Sequence, residues 1–239
     1  ASCAFNPERR PPVEDGDFLE HRAGEERRDL EERISALKEE IQRDFKNAEL
    51  HRRLSILYRL QGTPRSRLLS AEEIERAIML QPGNAIYRVE KGLTLTARRF
   101  VGEAEEAFRE ATRLDPGCSE AWFQLGRLER DEYLRTMCYP DHLAKAIDLF
   151  GKALRRNRTD EETLLNLAFL HSLRRMHRTG LQYASRAAAR HTESARARLL
   201  QGMLLTRLLR FDEADSSFEN AFRLMSEGDR ARYENIAPL

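Results

Sequence analysis

Six histidines and three cysteines are the side chains of this 239-residue chain best suited to metal binding or nucleophilic catalysis. The histidines are scattered, and His171 and His177, which flank a predicted turn, have no third metal ligand identified beside them. The sequence contains no zinc-protease motif, glycine-rich phosphate loop or hydrolase nucleophile elbow. Acidic pairs such as Glu105-Glu106 are typical of solvated helix faces. We therefore predict no enzymatic activity, no bound metal and no cofactor.

The cysteines Cys3, Cys118 and Cys138 do not have the spacing of a disulfide framework or a zinc site. Cys118 precedes a predicted helix that runs to about Cys138, and a rise of about 1.5 Å per residue places the two thiols beyond disulfide reach. The opening Ala1-Ser2-Cys3 resembles the end of a bacterial lipoprotein signal, so Cys3 is a candidate lipidation site. The expected location is therefore cytoplasmic or lipid-anchored in a bacterial cell envelope, and membrane association is predicted only through that lipid.

Charge is almost balanced, with 41 basic and 40 acidic residues and a formal net charge of +1. Such a chain has no overall field that attracts nucleic acid or anionic membranes, and nucleic acid is a disfavoured partner. Charged residues make up 34% of the chain and aromatic residues only 8%, which favours thin, exposed helical layers over one deep core. Nearly all of the basic residues are arginines, which bind carboxylates through two parallel hydrogen bonds.

The chain begins with a segment rich in proline, glycine and charge, and residues 1–24 are predicted to be a flexible lead-in. A helix is predicted over residues 25–46, where apolar residues recur every three or four positions. The residues that form this apolar stripe are Leu30, Ile34, Leu37 and Ile41. We expect this helix to pack on the layer that follows it.

The residues after this helix repeat. An alanine recurs within similar amphipathic segments at intervals of 34, 42, 34 and 34 residues, so one repeat has gained eight residues. These alanines are Ala77, Ala111, Ala153, Ala187 and Ala221.

A 34-residue period of paired helices resembles the tetratricopeptide-repeat (TPR) family. The third repeat carries the family pattern most fully, with Trp122, Leu125, Gly126, Ala146, Phe150 and Ala153. The resemblance implies an all-α, right-handed α-solenoid of about five TPR helix pairs, with the N-terminal helix packed on it. The predicted solenoid spans 47–239, with repeats at 48–82, 83–116, 117–158, 159–192 and 193–226, followed by the start of a C-terminal capping helix.

Small and aromatic residues at the family positions are expected to pack helix against helix. In the fourth repeat Gly180 and Ala184 replace a small and aromatic pair, so we expect this layer to be the least stable. The inserted residues near 132–140 are expected to lengthen the first helix of the third repeat and to add a loop. Met137, Cys138 and Tyr139 in that loop would form either a local plug or a partner contact. Capping boxes predict helix starts at Ser70 and Thr159.

The resemblance also implies a binding groove lined by the first helix of each repeat. The family's inward positions fall here on Arg52, Ile56, Arg59, Leu93, Phe123, Arg127, Arg130, Leu165, Phe169, Leu199 and Met203. They predict an arginine cluster toward the N-terminus and an apolar floor toward the C-terminus. The expected partner is a protein or peptide with apolar anchors and acidic residues. A competing interpretation is that Leu93, Phe169 and Met203 only support neighbouring helices.

A protein-interaction scaffold is thus the leading function, and two alternatives stay open. The first is an accessory TPR region of a larger envelope-associated or enzymatic protein. Residues 227–239 faintly resemble the segment after the repeats in bacterial GWxTD-domain proteins, although the GWxTD motif is absent. The second is an RNA-binding helical repeat, which the arginines permit and the interleaved acidic residues oppose.

Overall fold

The structure, a computed structural model, describes residues 15–136, 139–226 and 229–230, with side chains from Arg27 onward. Eleven α-helices and no strands lie in these ranges. The helices are α1 Asp15–Arg43, α2 Ala48–Gln61, α3 Pro64–Leu80, α4 Ala85–Ala97, α5 Val101–Leu114, α6 Ser119–Thr136, α7 Pro140–Arg156, α8 Glu161–Leu173, α9 His177–Arg190, α10 Ala195–Arg207 and α11 Phe211–Leu224. They fall into an N-terminal unit that ends at Phe100 and a C-terminal unit that begins at Val101.

Each of the five predicted repeat ranges contains one pair of helices, from α2 and α3 to α10 and α11. Within each unit, consecutive helices pack on one another as in a TPR solenoid. The predicted N-terminal helix is present, but α1 begins at Asp15, so the flexible lead-in predicted for residues 1–24 is wrong from that point. Residues 1–14, including Cys3, and most of the predicted C-terminal capping helix lie outside the described residues.

The N-terminal unit begins with α1 packed on α2. Ile34 and Leu37 of α1 are buried against Leu54, Leu57 and Tyr58 of α2. The apolar stripe along α1 therefore makes this contact, and its burial stabilises the first layer.

Polar side chains lie inside the same unit. The hydroxyl of Ser55 donates to the carbonyl oxygen of Ser70 at 2.9 Å, and the Ser70 and Thr94 hydroxyls lie 3.1 Å apart. Nearby, the imidazole of His51 lies 2.6 Å from the Glu73 carboxylate. All five side chains are buried, and buried polar groups of this kind stabilise a fold only when they are hydrogen-bonded.

Ser70 therefore does not cap a helix, contrary to the prediction. The second helix of the first repeat begins earlier, at Pro64, where Thr63 accepts a hydrogen bond from the Ser66 amide at 3.1 Å. Proline suits a first helical turn because its missing amide hydrogen would have no partner there.

Helix α8 also begins one residue later than the predicted cap implies. Asp160, rather than Thr159, caps this helix and accepts a hydrogen bond from the Thr163 amide at 2.8 Å. An aspartate at this position satisfies one of the amide groups that a helix start leaves without an intrahelical partner.

The eight inserted residues extend two helices and do not form the predicted added loop. Helix α6 has 18 residues where α4, α8 and α10 have 13, and α7 has 17 where α5, α9 and α11 have 14. Three residues separate α6 from α7, as in the other three pairs of the same register. Met137 and Cys138 lie outside the described residues, and Tyr139 is exposed with its ring edge-on to His142.

An apolar core fills the C-terminal unit. Phe150 of α7 and Leu164, Leu167 and Leu170 of α8 are all almost completely buried. A Cβ atom on Gly126 of α6 would lie 3.1 Å from the Phe150 ring, so the ring packs directly on the backbone of the neighbouring helix. The packing roles implied by the family resemblance are thus present.

The fourth repeat reaches close packing by other means. Ala168 and Ala184 are fully buried, and Leu204 from α10 occupies the space beside them. A Cβ atom on Gly180 would lie 2.9 Å from the Ala168 carbonyl oxygen, which shows how closely α9 approaches α8. The missing aromatic ring is therefore compensated by the following repeat, while the low stability expected for this layer stays a prediction.

Candidate functional site

In the N-terminal unit, the predicted groove arginines form internal ion pairs. Arg59 of α2 donates from Nε to a carboxylate oxygen of Glu90 at 2.8 Å and from a second nitrogen to the other oxygen at 3.3 Å. Arg52 makes two similar hydrogen bonds to Glu49, at 2.8 and 2.6 Å. The hydrogen bond from Arg52 lowers the pKa of the Glu49 carboxyl below its ordinary value. Two members of the predicted arginine cluster are thus already bound to carboxylates.

Ile56 and Leu93, the two apolar members of the predicted set in this unit, are half-buried. Each keeps part of its side chain accessible beside the arginine pairs. The first helices of the N-terminal unit therefore offer a small apolar surface whose neighbouring positive charge is largely neutralised.

In the C-terminal unit, α6, α8 and α10 carry the remaining predicted residues, and two of these are not accessible. Leu165 is 6% exposed and Leu199 is 9% exposed. Leu165 belongs to the apolar core between α7 and α8. These two side chains support the helix packing and offer little surface to a partner, so their part in binding stays a prediction.

Three apolar side chains retain exposure on the same helices. Phe123 is half-buried, with its ring edge-on to Phe150 at a centroid distance of 5.5 Å, and Phe169 packs partly against the core. Met203 of α10 is 52% exposed. Phe123 and Phe169 thus combine support with accessibility, whereas Met203 mainly presents its side chain to solvent.

The two predicted arginines of α6 have different surroundings. Arg127 donates to the neutral side-chain amide of Gln124 at 3.2 Å, and it has no carboxylate partner in the part of the chain that the structure describes. Arg130 contacts the carboxylate of the adjacent Asp131 and the side chain of Asn166 on α8. Arg127 is therefore the predicted groove arginine with the most unsatisfied charge.

Sequence reasoning missed several polar residues on these helices. Glu162 of α8 pairs with Arg196 of α10, and both side chains are exposed. Asn166 lies between Arg130 and the backbone carbonyl of Glu162, to which it donates at 2.7 Å. The repeat register contained the necessary signal, because Glu162 and Arg196 are one 34-residue step apart.

We define the first-helix face of the C-terminal unit by the residues that remain accessible on it: Phe123, Arg127, Arg130, Glu162, Phe169, Arg196 and Met203. Asn166, which is buried, is bonded to Arg130 of this face. A cleft of about 160 Å³ opens beside Phe123, and its lining includes the carboxylates of Glu120 and Glu162. Apolar side chains, an arginine without a carboxylate partner and carboxylates together can hold a peptide through both burial and hydrogen bonds.

Other chemistry is limited among the described residues. They contain no group of three or more His, Cys, Asp or Glu side chains that could hold a metal ion. Cys118 is a free, partly buried thiol, and burial raises its pKa. Across the same residues, no helix combines the length and the apolar character that crossing a bilayer requires. The predicted lack of enzymatic activity stays a prediction.

No family model matches the sequence. One curated relative, an inactive TPR repeat-containing thioredoxin, TTL3, from Arabidopsis thaliana, is 38% identical over 80 residues. That match covers 31% of this chain and 12% of the relative, so the chain corresponds to a small part of that protein.

Solved structures give a broader match to the fold. PilF of Pseudomonas aeruginosa is similar with a TM-score of 0.67 and 23% identity, over 89% of this chain and 92% of that one. YrrB, described as a TPR protein with an unusual peptide-binding site, matches with a TM-score of 0.56 and 14% identity, over 85% and 100%. MamA matches with a TM-score of 0.57 and 18% identity, over 70% and 92%. The repeat register, the helix pairs and these similarities together show that the chain has the tetratricopeptide-repeat fold.

Proposed function

We propose that this chain binds a peptide or helix of a partner protein on the first-helix face of its C-terminal unit. Its likeness to TPR proteins supports a protein-interaction scaffold in general. The observation that carries the more specific proposal is the presence of Arg127, without a carboxylate partner, on the same set of helices as the exposed Met203.

Apolar anchors of the partner would contact Met203 and the accessible edges of Phe123 and Phe169. A methionine side chain is flexible and polarisable, so it adapts to apolar groups of different shape. Aromatic rings that are already held by the core lose little conformational freedom when a partner binds. These three side chains therefore favour a partner with apolar residues spaced along one face.

Acidic residues of the partner would bind Arg127. A guanidinium that has only a neutral partner gains a charge-assisted hydrogen bond when a carboxylate approaches. Arg52 and Arg59 gain less, because a new carboxylate must displace Glu49 or Glu90. We therefore assign recognition of acidic residues to the C-terminal unit and not to the predicted N-terminal cluster.

The test is a selection from a displayed peptide library on the immobilised chain, followed by calorimetric titration of the selected peptides. We expect peptides that combine apolar and acidic residues. Arg127→Glu and Met203→Glu should each weaken binding about tenfold or more, since central contacts of an interface are worth about 1–2 kcal/mol or more.

Matched controls lie on α3 of the N-terminal unit. Arg67 is exposed, and Met79 is 73% exposed, so Arg67→Glu and Met79→Glu make the same chemical changes away from the proposed face. All four variants should keep the helical circular dichroism of the parent chain. Equal losses of affinity in the control and test variants, or no loss in the test variants, would contradict the proposal.

A further inference from the structure

Two short turns of the C-terminal unit carry basic and large apolar side chains next to one another. Residues 174–176 join α8 to α9, and residues 208–210 join α10 to α11. We define the turn patch as the exposed side chains in and beside these turns. Its apolar members are Met176, Leu209 and Phe211, which are 42%, 75% and 56% exposed. Its basic members are Arg174, Arg175, Arg178 and Arg207, all exposed.

The arginines of the turn patch differ from others in the same unit. Arg113 and Arg196 are paired with Glu106 and Glu162. The four patch arginines have no carboxylate partner within the residues that the structure describes. Arg210, which also lies in a turn, is excluded from the patch because it binds Glu213 through two hydrogen bonds. The exposed carboxylates beside these turns are those of Asp212 and Glu213, and Glu213 is paired with Arg210, so positive charge still exceeds negative charge here.

The backbone at the tip of each turn is strained. Arg175 and Leu209 have φ values of 58° and 60°, in the left-handed region that glycine adopts at little cost and other residues only with strain. The turn geometry itself is regular, since the Met176 and Arg210 amides donate to carbonyl oxygens five residues earlier at 2.9 and 3.0 Å. Glycine would fit both positions, and two exposed side chains occupy them instead.

Strain at an exposed site without compensating packing indicates that the side chain itself has a use. Leu209 is the most exposed of the large apolar residues that the structure describes. The N-terminal unit shows the same combination independently, where Arg99 has a φ of 67° beside Phe100, which is 43% exposed. Arg98 places its guanidinium 4.8 Å from the centre of the Phe100 ring. The pattern therefore recurs at equivalent turns.

We propose that the turn patch docks on the surface of an anionic lipid bilayer. The arginines would bind lipid phosphates, and Met176, Leu209 and Phe211 would enter the interfacial region. Each arginine near such a surface contributes about fivefold to the affinity. This surface is separate from the first-helix face, and the proposal does not depend on peptide binding there.

A bilayer fits these observations better than a folded acidic partner or a nucleic acid. Leu209 and Phe211 are exposed at the end of a helix pair, and a bilayer accepts such side chains without a pocket of complementary shape. An acidic protein would need to supply that pocket. A nucleic acid offers phosphates to the arginines, but its backbone offers no apolar medium to Leu209.

The test is co-sedimentation of the full chain with vesicles. Vesicles of phosphatidylcholine mixed with phosphatidylglycerol should bind the chain, and vesicles of phosphatidylcholine alone should bind it much more weakly. Added salt should weaken the binding to the anionic vesicles, because it screens the arginines.

The double variant Arg175→Gly/Leu209→Gly separates docking from folding. It removes one charge and one apolar side chain, so vesicle binding should fall about tenfold or more. It also relieves the strain at both turns, so the thermal midpoint should rise. Affinity for a peptide selected on the first-helix face should not change.

A control at another place is Arg113→Ala/Leu114→Ala, at the end of α5, where Arg113 is paired with Glu106. These residues are of the same types, and Leu114 is 45% exposed, but both lie at the opposite end of a helix pair from the turn patch. The control should keep its vesicle binding. Equal binding of the parent and the glycine variant, equal binding to neutral vesicles, or preferential binding to polyuridylate or polyglutamate would overturn the proposal.

Discussion

His51 in the N-terminal unit and His171 in the C-terminal unit are both buried, and their surroundings differ. The two nitrogens of His51 lie 2.6 Å from a Glu73 carboxylate oxygen and 3.0 Å from the Phe45 carbonyl oxygen. The ring of His171 stacks on Tyr183 at a centroid distance of 5.5 Å, and its Nδ1 has no hydrogen-bond partner among the described residues. One histidine is held by polar bonds, and the other is held by ring stacking.

This difference extends to the surface. In the N-terminal unit, the carboxylates also bind the arginines, so Arg52 and Arg59 are occupied. In the C-terminal unit, apolar packing holds α6 and α8, and Arg127 is left with only a neutral partner. The capacity to bind an acidic partner therefore depends on how each unit is packed internally and not on its number of arginines.

The largest expected effect on stability follows from removing an aromatic ring from the apolar core of the C-terminal unit. Phe150 is 0% exposed and packs against Gly126 and Phe123. Phe150→Ala should lower the free energy of unfolding by about 3–5 kcal/mol, because it leaves a cavity that the close-packed helices cannot fill. Urea denaturation followed by circular dichroism measures this loss. A loss below about 1 kcal/mol would mean that the core rearranges and is not closely packed.

The next largest effect is expected in the N-terminal unit, where buried polar side chains are bonded to one another. His51→Leu leaves the Glu73 carboxylate buried with only Arg76, which is itself half-exposed, and should cost about 2–4 kcal/mol. The double variant His51→Leu/Glu73→Leu should cost less than the single variant, because no buried charge is left without its partner. Equal costs for the single and double variants, measured by urea denaturation, would show that the pair acts only through packing.

The smallest expected effect is a pH dependence of the free energy of unfolding that arises from His171 in the C-terminal unit. Burial, together with the nearby charge of Arg174, lowers the pKa of His171 below its ordinary value of 6.5. The unfolded chain then takes up a proton before the folded chain does, so the free energy of unfolding falls as the pH drops below about 6.5. One proton limits this slope to about 1.4 kcal/mol per pH unit.

The variant His171→Phe keeps an aromatic ring against Tyr183 and removes the titrating group. The free energy of unfolding of the parent chain and of this variant is measured by denaturation from neutral pH down to a pH at which carboxylates are still ionised. The difference between the two pH profiles is the contribution of His171. The parent should lose more stability than the variant on acidification. Parallel pH profiles would show that His171 does not contribute.

The sequence was sufficient to predict the repeats, because the intervals between alanines follow directly from the helix-pair period. It did not predict the start of α1 at Asp15, since Gly16 and Gly24 are poor helix formers. The destination of the eight inserted residues was also ambiguous, because local propensity does not determine whether inserted residues lengthen two helices or form a loop.

The binding face was predicted less well. The burial of Leu165 and Leu199 depends on neighbouring helices that the first-helix pattern does not describe. Arg59 and Glu90 are 31 residues apart in the sequence, so their ion pair requires two first helices to lie side by side. Interactions between repeats determine which inward residues remain available, and a pattern within one repeat does not contain that information.

The most direct test of the central claim is to locate a selected peptide on the isotopically labelled chain by nuclear magnetic resonance. Titration of the peptide should shift the backbone amide signals of α6, α8 and α10, with the largest changes near Arg127 and Met203. Signals of the N-terminal unit should change little. Shifts confined to the N-terminal unit, or to the second helices α7, α9 and α11, would contradict the claim that the first-helix face binds the partner.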